Sequence, residues 1–597
     1  MSWAFSFFLY IFAVADYLLA QEKLIMMTIN KRFLLLKTIL ITVAASLFLN
    51  SNAQKSERYF CYGQMADNSP KHEVRAVWLT TIGGLDWPHT YARSSKTIAK
   101  QQKELTDILD TLKVLGFNTI LFQTRIRATV IYPSRIESWD GCCSGNPGVS
   151  PGYDPLAFAV EECHKRGMEI HAWVVAIPVG KWAGYGCSRL RKKYPGMVKR
   201  DGVDGYMDPS HPMSASYIAS ICGEITANYD IDGIHLDYIR YPETWKRNIS
   251  AQQARQNITN IVAKVHDEVK SIKSRVKISC SPIGKRTDLT RYSSRGWSAY
   301  NKGYQDVETW MRLGYMDQIY PMMYFKGNQF YPFALDWKEK SHGKTVVPGL
   351  GIYFLSDKEG SWQQEEIVRQ INFLRNSGMG YALFRTRFLL DNTKDIKNVI
   401  RNTFNLYPSL NIPSAENTTL LPSPTDLKIS RKGSSTILSW TNANDKQQDY
   451  TYNIYASTTS PVDVSNAANL VCTNYYGTSI TIGTKQDFCY AVTTTDRYGN
   501  ESLPLQQIKA ANSMASNNVF IKNNGKTAFM PEKPATLDAD MLIIKSLQGN
   551  VLRTITYDTK AINIQSLPNG IYTLHSLNRK GITHRLGFLR VKRMIDD

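Results

Sequence analysis

The chain is poor in cysteine for its size, with nine in 597 residues. That is too few for a disulfide scaffold, and the odd count leaves at least one thiol unpaired. No cysteine–histidine spacing resembles a zinc site. Cys163 and His164 are adjacent on a helical pattern and point apart, so neither a metal nor another cofactor is expected. Low-complexity tracts are absent, and so is any run of five basic residues, although 71 Lys and Arg against 51 Asp and Glu leave a net charge of +20. A nucleic-acid binder concentrates its charge on one face or helix. Here it is dispersed, which sets nucleic acid aside in favour of an anionic polymer or envelope surface.

Long apolar runs are confined to the first fifty residues. Residues 3–20 have no basic flank and contain Asp16, whereas residues 33–49 follow Lys31-Arg32 and end in Ser51-Asn-Ala53. The second has the basic, apolar and small-residue layout of a secretory signal, with translation starting at Met26 or Met27 as one explanation of the first. Both are short for spanning a bilayer. The expectation is an exported protein, periplasmic, on the surface or outside a gram-negative cell, with residues 1–53 as targeting segment and no integral span in the mature chain. In such a compartment Cys472 could pair with Cys489, and Cys142 or Cys143 with Cys187.

From residue 74 to about 387 the pattern is regular. Apolar, β-rich runs at 74–81, 117–125, 169–175, 231–238, 276–284, 316–325, 345–353 and 379–387 alternate with helical patterns, clearest at 96–115, 155–166, 214–228, 251–270 and 365–376. Several helices end at a glycine just before the next strand, as in Leu115-Gly116-Phe117 and Arg166-Gly167-Met168. Eight such units predict an α/β fold, a (β/α)₈ TIM barrel over residues 72–408. An open doubly wound sheet would place a glycine-rich phosphate loop after its first strand. Thr80-Thr-Ile-Gly-Gly-Leu-Asp-Trp-Pro88 is not one.

The carboxyl ends of barrel strands form the catalytic floor. The fourth strand, Asp232-Gly-Ile-His-Leu-Asp-Tyr-Ile-Arg-Tyr-Pro-Glu243, stops at a proline with Asp237 where it runs out. Period-2 alternation puts Gly233, His235 and Asp237 on one face. An inward carboxylate is costly unless paired or used, so Asp237 is assigned to catalysis or direct substrate contact rather than to holding Arg240 or capping a helix. Other strand ends supply Trp78, Arg125, His171, Trp173, Tyr324 and Arg385. Aromatic rings beside charged groups suit sugars, which present apolar C–H faces and hydroxyl edges.

Val74-Arg-Ala-Val-Trp-Leu-Thr80, Gly152-Tyr-Asp-Pro-Leu156, His164-Lys-Arg-Gly-Met-Glu-Ile-His-Ala-Trp173, Asp232-Gly-Ile-His-Leu-Asp237, Ser281-Pro282 and Met316-Asp-Gln-Ile-Tyr-Pro-Met-Met-Tyr324 follow one another in an order that resembles the glycosyl-hydrolase-like family 10 proteins. The resemblance implies a (β/α)₈ glycosidase, with peptidoglycan strands stripped of peptide as one substrate of the family. Family members often carry two adjacent acidic residues after the Gly-Ile-His of strand four, whereas here Tyr238 follows Asp237. Glycoside hydrolysis uses two carboxyl groups. Asp237 is one, and Glu243 and Asp306 are the candidates for the other. His235 and Arg240 join Trp78, Arg125, His171, Trp173, Tyr324 and Arg385 as candidate substrate contacts.

Residues 408–424, rich in Pro, Ser, Asn and Thr, read as a linker. Two small all-β sandwich domains are expected beyond it. Residues 422–511, with Trp440 and Tyr490 on alternating strands, resemble a fibronectin type III domain. Residues 516–597, with Leu567-Pro-Asn-Gly-Ile-Tyr572, resemble the C-terminal sorting domains of the type IX outer-membrane secretion route, which would make that machinery a partner. Three functions follow: a secreted hydrolase of an amino-sugar-containing glycan, a non-catalytic carbohydrate-binding barrel, or a surface adhesin.

Overall fold

The computed structural model describes residues 69–245, 248–413, 421–432, 435–442, 450–483, 488–506, 521, 523, 527–529, 541–547, 551–556, 561–577 and 583–591. The targeting segment 1–53 lies outside them, as does much of the linker.

Eight parallel strands close into a barrel: β1 Arg75–Leu79, β2 Thr119–Arg125, β3 Glu169–Val175, β4 Gly233–Asp237, β5 Lys277–Ser281, β6 Gln318–Ile319, β7 in two pieces, Thr345–Val346 and Gly349–Gly351, and β8 Tyr381–Phe384. Each pairs with its neighbour in sequence, and β8 pairs with β1. The first piece of β7 pairs with β6 and the second with β8. Pro348 lacks an N–H and interrupts the ladder between them. Closure survives because Val347 N–H donates to the Ile319 carbonyl, Gly349 N–H to Pro321, and Ala382 N–H to Pro348. The run expected at 316–325 is a strand only at Gln318–Ile319, with Pro321 just beyond it.

Seven helices form the outer layer: α1 Ser95–Val114, α2 Pro155–Lys165, α3 Ser214–Asn228, α4 Ala251–Ile272, α5 Val307–Arg312, α6 Tyr331–Glu339 and α7 Gln364–Asn376. Their ends follow local chemistry. Ser94 and Thr97 form a capping box on α1, and Asp154 accepts from the Leu156 and Ala157 N–H groups at the start of α2. Gly116 and Gly167 turn the chain into β2 and β3 at φ of 77° and 61°. α4 buries Ala254, Ile258, Ile261, Val262, Val265 and Val269, each large side chain contributing about 1.5–3 kcal/mol. Outward strand residues such as Ile120, Phe122, Ile170, Val174, Ile234, Leu236 and Ile278 share this core. The barrel interior holds a second cluster: Ala76, Trp78, Leu121, Trp173, Val175, Tyr320, Val347 and Ala382.

One loop at the carboxyl end grows into an excursion. Between β3 and α3, Pro178–Lys181, Val198–Asp201 and Asp204–Met207 form a three-stranded antiparallel sheet around the helix Tyr185–Lys193.

Beyond the barrel the chain is all β. A three-stranded sheet has the order Thr425–Lys432, Ser435–Thr441, Ser479–Gly483, and its described residues 429–432, 435–438 and 480–483 group apart from the rest. The other described residues belong to one larger unit. In it, Leu470–Tyr475, Thr451–Ser457, Cys489–Thr495 and Leu505–Gln506 make a four-stranded sheet. A second has the order Val551–Thr556, Met541–Ser546, Gly570–Leu577, Thr583–Val591.

The first four-stranded sheet meets the amino-end floor of the barrel. Arg497 bonds Asp230 and Asp232 at 2.9 Å each, and Lys71 bonds Glu501 at 2.5 Å. Leu410, bridged to His72, packs with Tyr455, Val462 and Leu470. Ser409, Leu410 and Asn411 are buried, so the first residues of the expected linker are part of this joint.

The expected disulfides are absent. Eight cysteines, including Cys142, Cys143, Cys187, Cys472 and Cys489, are free thiols. Cys472 and Cys489 pair with opposite edges of Thr451–Ser457, which puts them about 10 Å apart, beyond the reach of about 7 Å for a bridge. Cys142 lies against Cys143, with 3.7 Å between sulfurs. Cys187 is buried under Gly205 within the excursion. Cys61 lies outside the described residues.

Candidate active site

β4 carries the central group. Asp237 is 6% exposed at the carboxyl end of the strand. Its Oδ1 accepts from Ser281 Oγ at 2.7 Å and from the Tyr238 N–H at 2.8 Å, and its Oδ2 accepts from Trp173 Nε1 at 3.1 Å. These donors favour the ionised form, and so does the charge of Arg240. Burial outweighs them and raises the carboxyl above its ordinary range. A perturbed carboxyl in the mouth of a barrel is what proton-transfer chemistry requires. The next residue, Tyr238, has φ of 50° and is 41% exposed. Left-handed backbone is uncommon for a residue with a bulky side chain. Here it turns the chain sharply after the carboxylate.

Below Asp237 the interior is polar on the side of β3, β4 and β5. His235 is fully buried. Trp78 Nε1 donates to its Nε2 at 3.3 Å, and its Nδ1 lies 3.0 Å from Ser279 Oγ. The indole can only donate, so Nε2 accepts and the proton sits on Nδ1, facing the serine. Burial, helped by His171, depresses the His235 pKa strongly, in keeping with a neutral ring. His171 lies 3.3 Å from Glu169, which in turn bonds Lys277 at 2.6 Å. Its Nδ1 is buried without a hydrogen-bond partner among the described residues. Gly233 makes room for this ring, since a Cβ there would sit 2.6 Å from His171 Nδ1. His171 and His235 thus support the floor under Asp237 from inside the barrel.

Aromatic rings line one side of the opening, where β6, β7, β8 and β1 end. Tyr324 meets Tyr353 and Phe384, each at 5.6 Å between ring centroids, and Phe384 meets Trp78 at 5.9 Å. Burial and then the charge of Asp237 raise the Tyr324 pKa strongly.

The remaining sequence candidates fall into different settings. Arg125 is fully buried, its guanidinium on Glu137 at 2.7–3.0 Å and on the Val175 and Ala176 carbonyls. Val175 pairs with Asp237 across the sheet, so Arg125 braces the strand beside the carboxylate. Arg240 Nε donates to Glu243 Oε1 at 2.8 Å, and its guanidinium lies over the Tyr238 ring at 4.1 Å. Asp306 caps α5, accepting from the Thr309 N–H at 3.4 Å. Arg385 bonds Asp86 at 2.5 Å, and Asp86 also accepts from Thr80 and from the Arg387 N–H. This pair ties the β1 and β8 loops together.

Sequence reasoning passed over Ser279, Ser281, Asp86, Glu137 and Tyr353. The two serines had a signal: Lys277-Ile-Ser-Cys-Ser281 alternates polar and apolar with period 2, as β4 does. Glu137 and Asp86 had none, because both reach their arginines across loops. No group of three or more potential metal ligands occurs among the described residues, and none of their helices is long and apolar enough to cross a membrane.

Residues 73–355 match the family model described as Glycosyl hydrolase-like 10. Among curated proteins, the glycosyl hydrolase DigH of Escherichia coli K12 is 30% identical over 42% of this chain and 65% of its own length. The chain therefore spans somewhat under two thirds of that relative. The glycosyl hydrolase YngK of Bacillus subtilis is 26% identical over 73% of this chain and 93% of its own length. Among solved structures, an endo-beta-1,4-mannanase from Thermotoga petrophila aligns over 88% of this chain with a TM-score of 0.38 and 10% identity.

Proposed function

We propose that the barrel is a glycoside hydrolase with Asp237 as its proton-donating carboxyl, acting on an amino-sugar-containing glycan such as peptidoglycan strands. The observation that carries this reading is one buried carboxyl, raised above its ordinary range, at the end of β4 beneath an aromatic rim. The family match over residues 73–355 and two relatives named glycosyl hydrolase support it.

Glycosidic cleavage needs a protonated group at the leaving oxygen and an ionised partner. Asp237 supplies the first, because burial keeps its proton on at a higher pH than an exposed aspartate would. Glu243 is the better second carboxylate. It shares the β4 loop, where Arg240 Nε holds its Oε1 at 2.8 Å, while Asp306 is occupied at a helix start. Trp173 and Ser281 hold Asp237 in place, and Tyr324 with Tyr353 supplies a platform for the apolar face of a sugar. The chain is exported through its 31–53 segment, with residues 422–511 a fibronectin type III-like spacer and residues 516–597 a sorting-like domain for outer-membrane secretion.

A non-catalytic carbohydrate-binding barrel is the competing reading. It is favoured by the engagement of both second-carboxylate candidates, Glu243 with Arg240 and Asp306 with a helix start. Release of reducing ends from purified glycans, peptide-free peptidoglycan included, decides between them. Turnover that disappears in Asp237→Asn supports the hydrolase. Glycan binding without turnover supports the alternative.

A further inference from the structure

The turn after Asp237 is made by a residue poorly suited to it. Tyr238 has φ of 50°, a left-handed backbone that glycine adopts freely and a residue with a Cβ does not. The turn itself uses only the main chain: the Tyr238 N–H donates to Asp237 Oδ1 at 2.8 Å. Glycine would supply the same N–H without strain, so the reason for tyrosine lies in its side chain.

Folding does not account for that side chain. One other tyrosine among the described residues is left-handed, Tyr304 at φ of 58°, and it is buried against Tyr241 with ring centroids 5.9 Å apart. Packing explains it. Tyr238 is 41% exposed, although Asp237 before it and Ile239, Arg240 and Tyr241 after it are all buried. In this stretch the side chain that reaches solvent is the one whose backbone is strained. The ring is also held. The Arg240 guanidinium lies over it, 4.1 Å from the centroid, and Arg240 Nε is fixed on Glu243 Oε1 at 2.8 Å. One face is thus backed, and the exposed area belongs to the other face and the edge. A fixed aromatic face in solvent, one residue from a buried carboxyl, is pre-organised for a flat apolar surface. In an eight-stranded barrel β4 stands opposite β8, so Tyr238 lies across the opening from Tyr324, Tyr353 and Phe384.

We propose that Tyr238 is a substrate contact of this mouth, its open face stacking on the apolar C–H face of the sugar unit bound at Asp237. The inference rests on the reading of the mouth as a glycan site and adds a contact that sequence reasoning passed over. A stacked ring takes a pyranose with or without charge, so this contact reads the shape of the sugar and not its acid groups.

Three variants of the full-length protein test it. Tyr238→Gly keeps the N–H on Asp237 and removes the ring, Tyr238→Asn suits the left-handed turn with a polar group, and Tyr238→Phe keeps the ring without its hydroxyl. Equilibrium binding of chitin oligosaccharides and of peptide-free peptidoglycan strands is measured in an Asp237→Asn background, which leaves the glycan uncut. Melting curves give the folded fraction by which each affinity is normalised. At least one glycan is expected to bind about tenfold more weakly to the Gly and Asn variants, and within about twofold of the parent to the Phe variant. With Asp237 intact, KM should rise in step while kcat and its pH profile stay put, the pattern of a lost binding contact. Parent-like binding by the Gly variant, a Phe variant as weak as the Gly variant, or binding of neither glycan by the parent overturns the proposal. So does a fall in kcat with a displaced pH profile and an unchanged KM, which would make Tyr238 a positioning residue for Asp237. Cleavage is scored apart. Ring-dependent binding with no cleavage keeps this inference and removes the hydrolase, whereas cleavage with a KM indifferent to Tyr238 does the reverse.

Discussion

Asp237 determines how activity and stability should depend on pH, and the two dependences differ in origin. Its folded-state pKa lies above the unfolded value of about 3.9. The stability associated with its proton is therefore complete below that unfolded value and is lost as pH rises through the folded one. Asp237→Asn removes this dependence. Relative to the parent, the variant should melt progressively higher as pH increases from 4 to 8, even though its amide would face the Trp173 donor. Turnover should fall by a factor on the order of 10³ or more at every pH. Thermal melts across pH, paired with reducing-end assays, check both halves. A melting temperature that drops most at high pH would mark the carboxylate as a structural ion instead. Trp173→Phe is a gentler probe. It removes a donor that favours the ionised form, so the alkaline limb of the rate profile should move to higher pH, while Ser281 and the Tyr238 N–H still hold the carboxyl. An unmoved limb would exclude Asp237 as the titrating acid. Asp237 was legible in the sequence from strand alternation and a terminating proline. The meaning of Arg125 was not: alternation alone would point it inward like Asp237, but a register shift after Gln123 pairs it with outward-facing Val174, and Glu137, twelve residues on, holds it there.

Single elements show where pattern reading stops. Each of the eight runs became a strand, because apolar β-rich residues between capped helices admit few other arrangements. Their lengths did not follow, since hydrophobicity says nothing about the missing N–H groups of Pro321 and Pro348, and these cut β6 short and split β7. The β3 excursion escaped notice altogether. Its strands, such as Val198–Asp201, are four residues long and mostly polar, below what a period-2 pattern can resolve. β4 yields a test at this level. Its Gly233 lies beside the His171 ring with no space for a methyl group. Gly233→Ala should cost about 1–3 kcal/mol by forcing that ring aside, and activity should fall more than the fraction unfolded, because the floor beneath Asp237 shifts. Denaturant melts alongside activity per folded molecule measure the two effects. Activity falling only with the folded fraction would show that His171 does not support the site.

In the whole chain, the barrel is joined to the first four-stranded sheet by buried charge. Burial opposes ionisation of Glu501, but Lys71, Thr493 and Tyr455 hold it down to about 2, and Asp232 is held low by Arg497 and His164 in the same way. For such groups the contribution is present above the unfolded values near 4 and is lost as pH falls through the folded ones. The joint should therefore loosen between about pH 4 and pH 2, seen as new proteolytic cleavage near residue 413 before the barrel itself unfolds. Arg497→Ala leaves Asp232 with His164 and the Ile170 N–H and should cost about 3 kcal/mol, bringing that cleavage to milder acid. An unchanged acid profile would show the joint to be held by Leu410 and its apolar neighbours instead. The sequence indicated a boundary here from its Pro, Ser and Asn content, but composition could not reveal that Leu410 crosses it to fill the neighbouring core.

That joint lies at the amino ends of the strands, while Asp237 lies at the carboxyl ends. The sheet attached there contributes no wall to the mouth, so a long polymer can lie across the opening without being threaded. Address and reaction are then separable properties of one molecule. On the proposed reading, changes to the trailing β regions would alter where the protein is held, while the bond it cuts would still be chosen by the far end of the barrel.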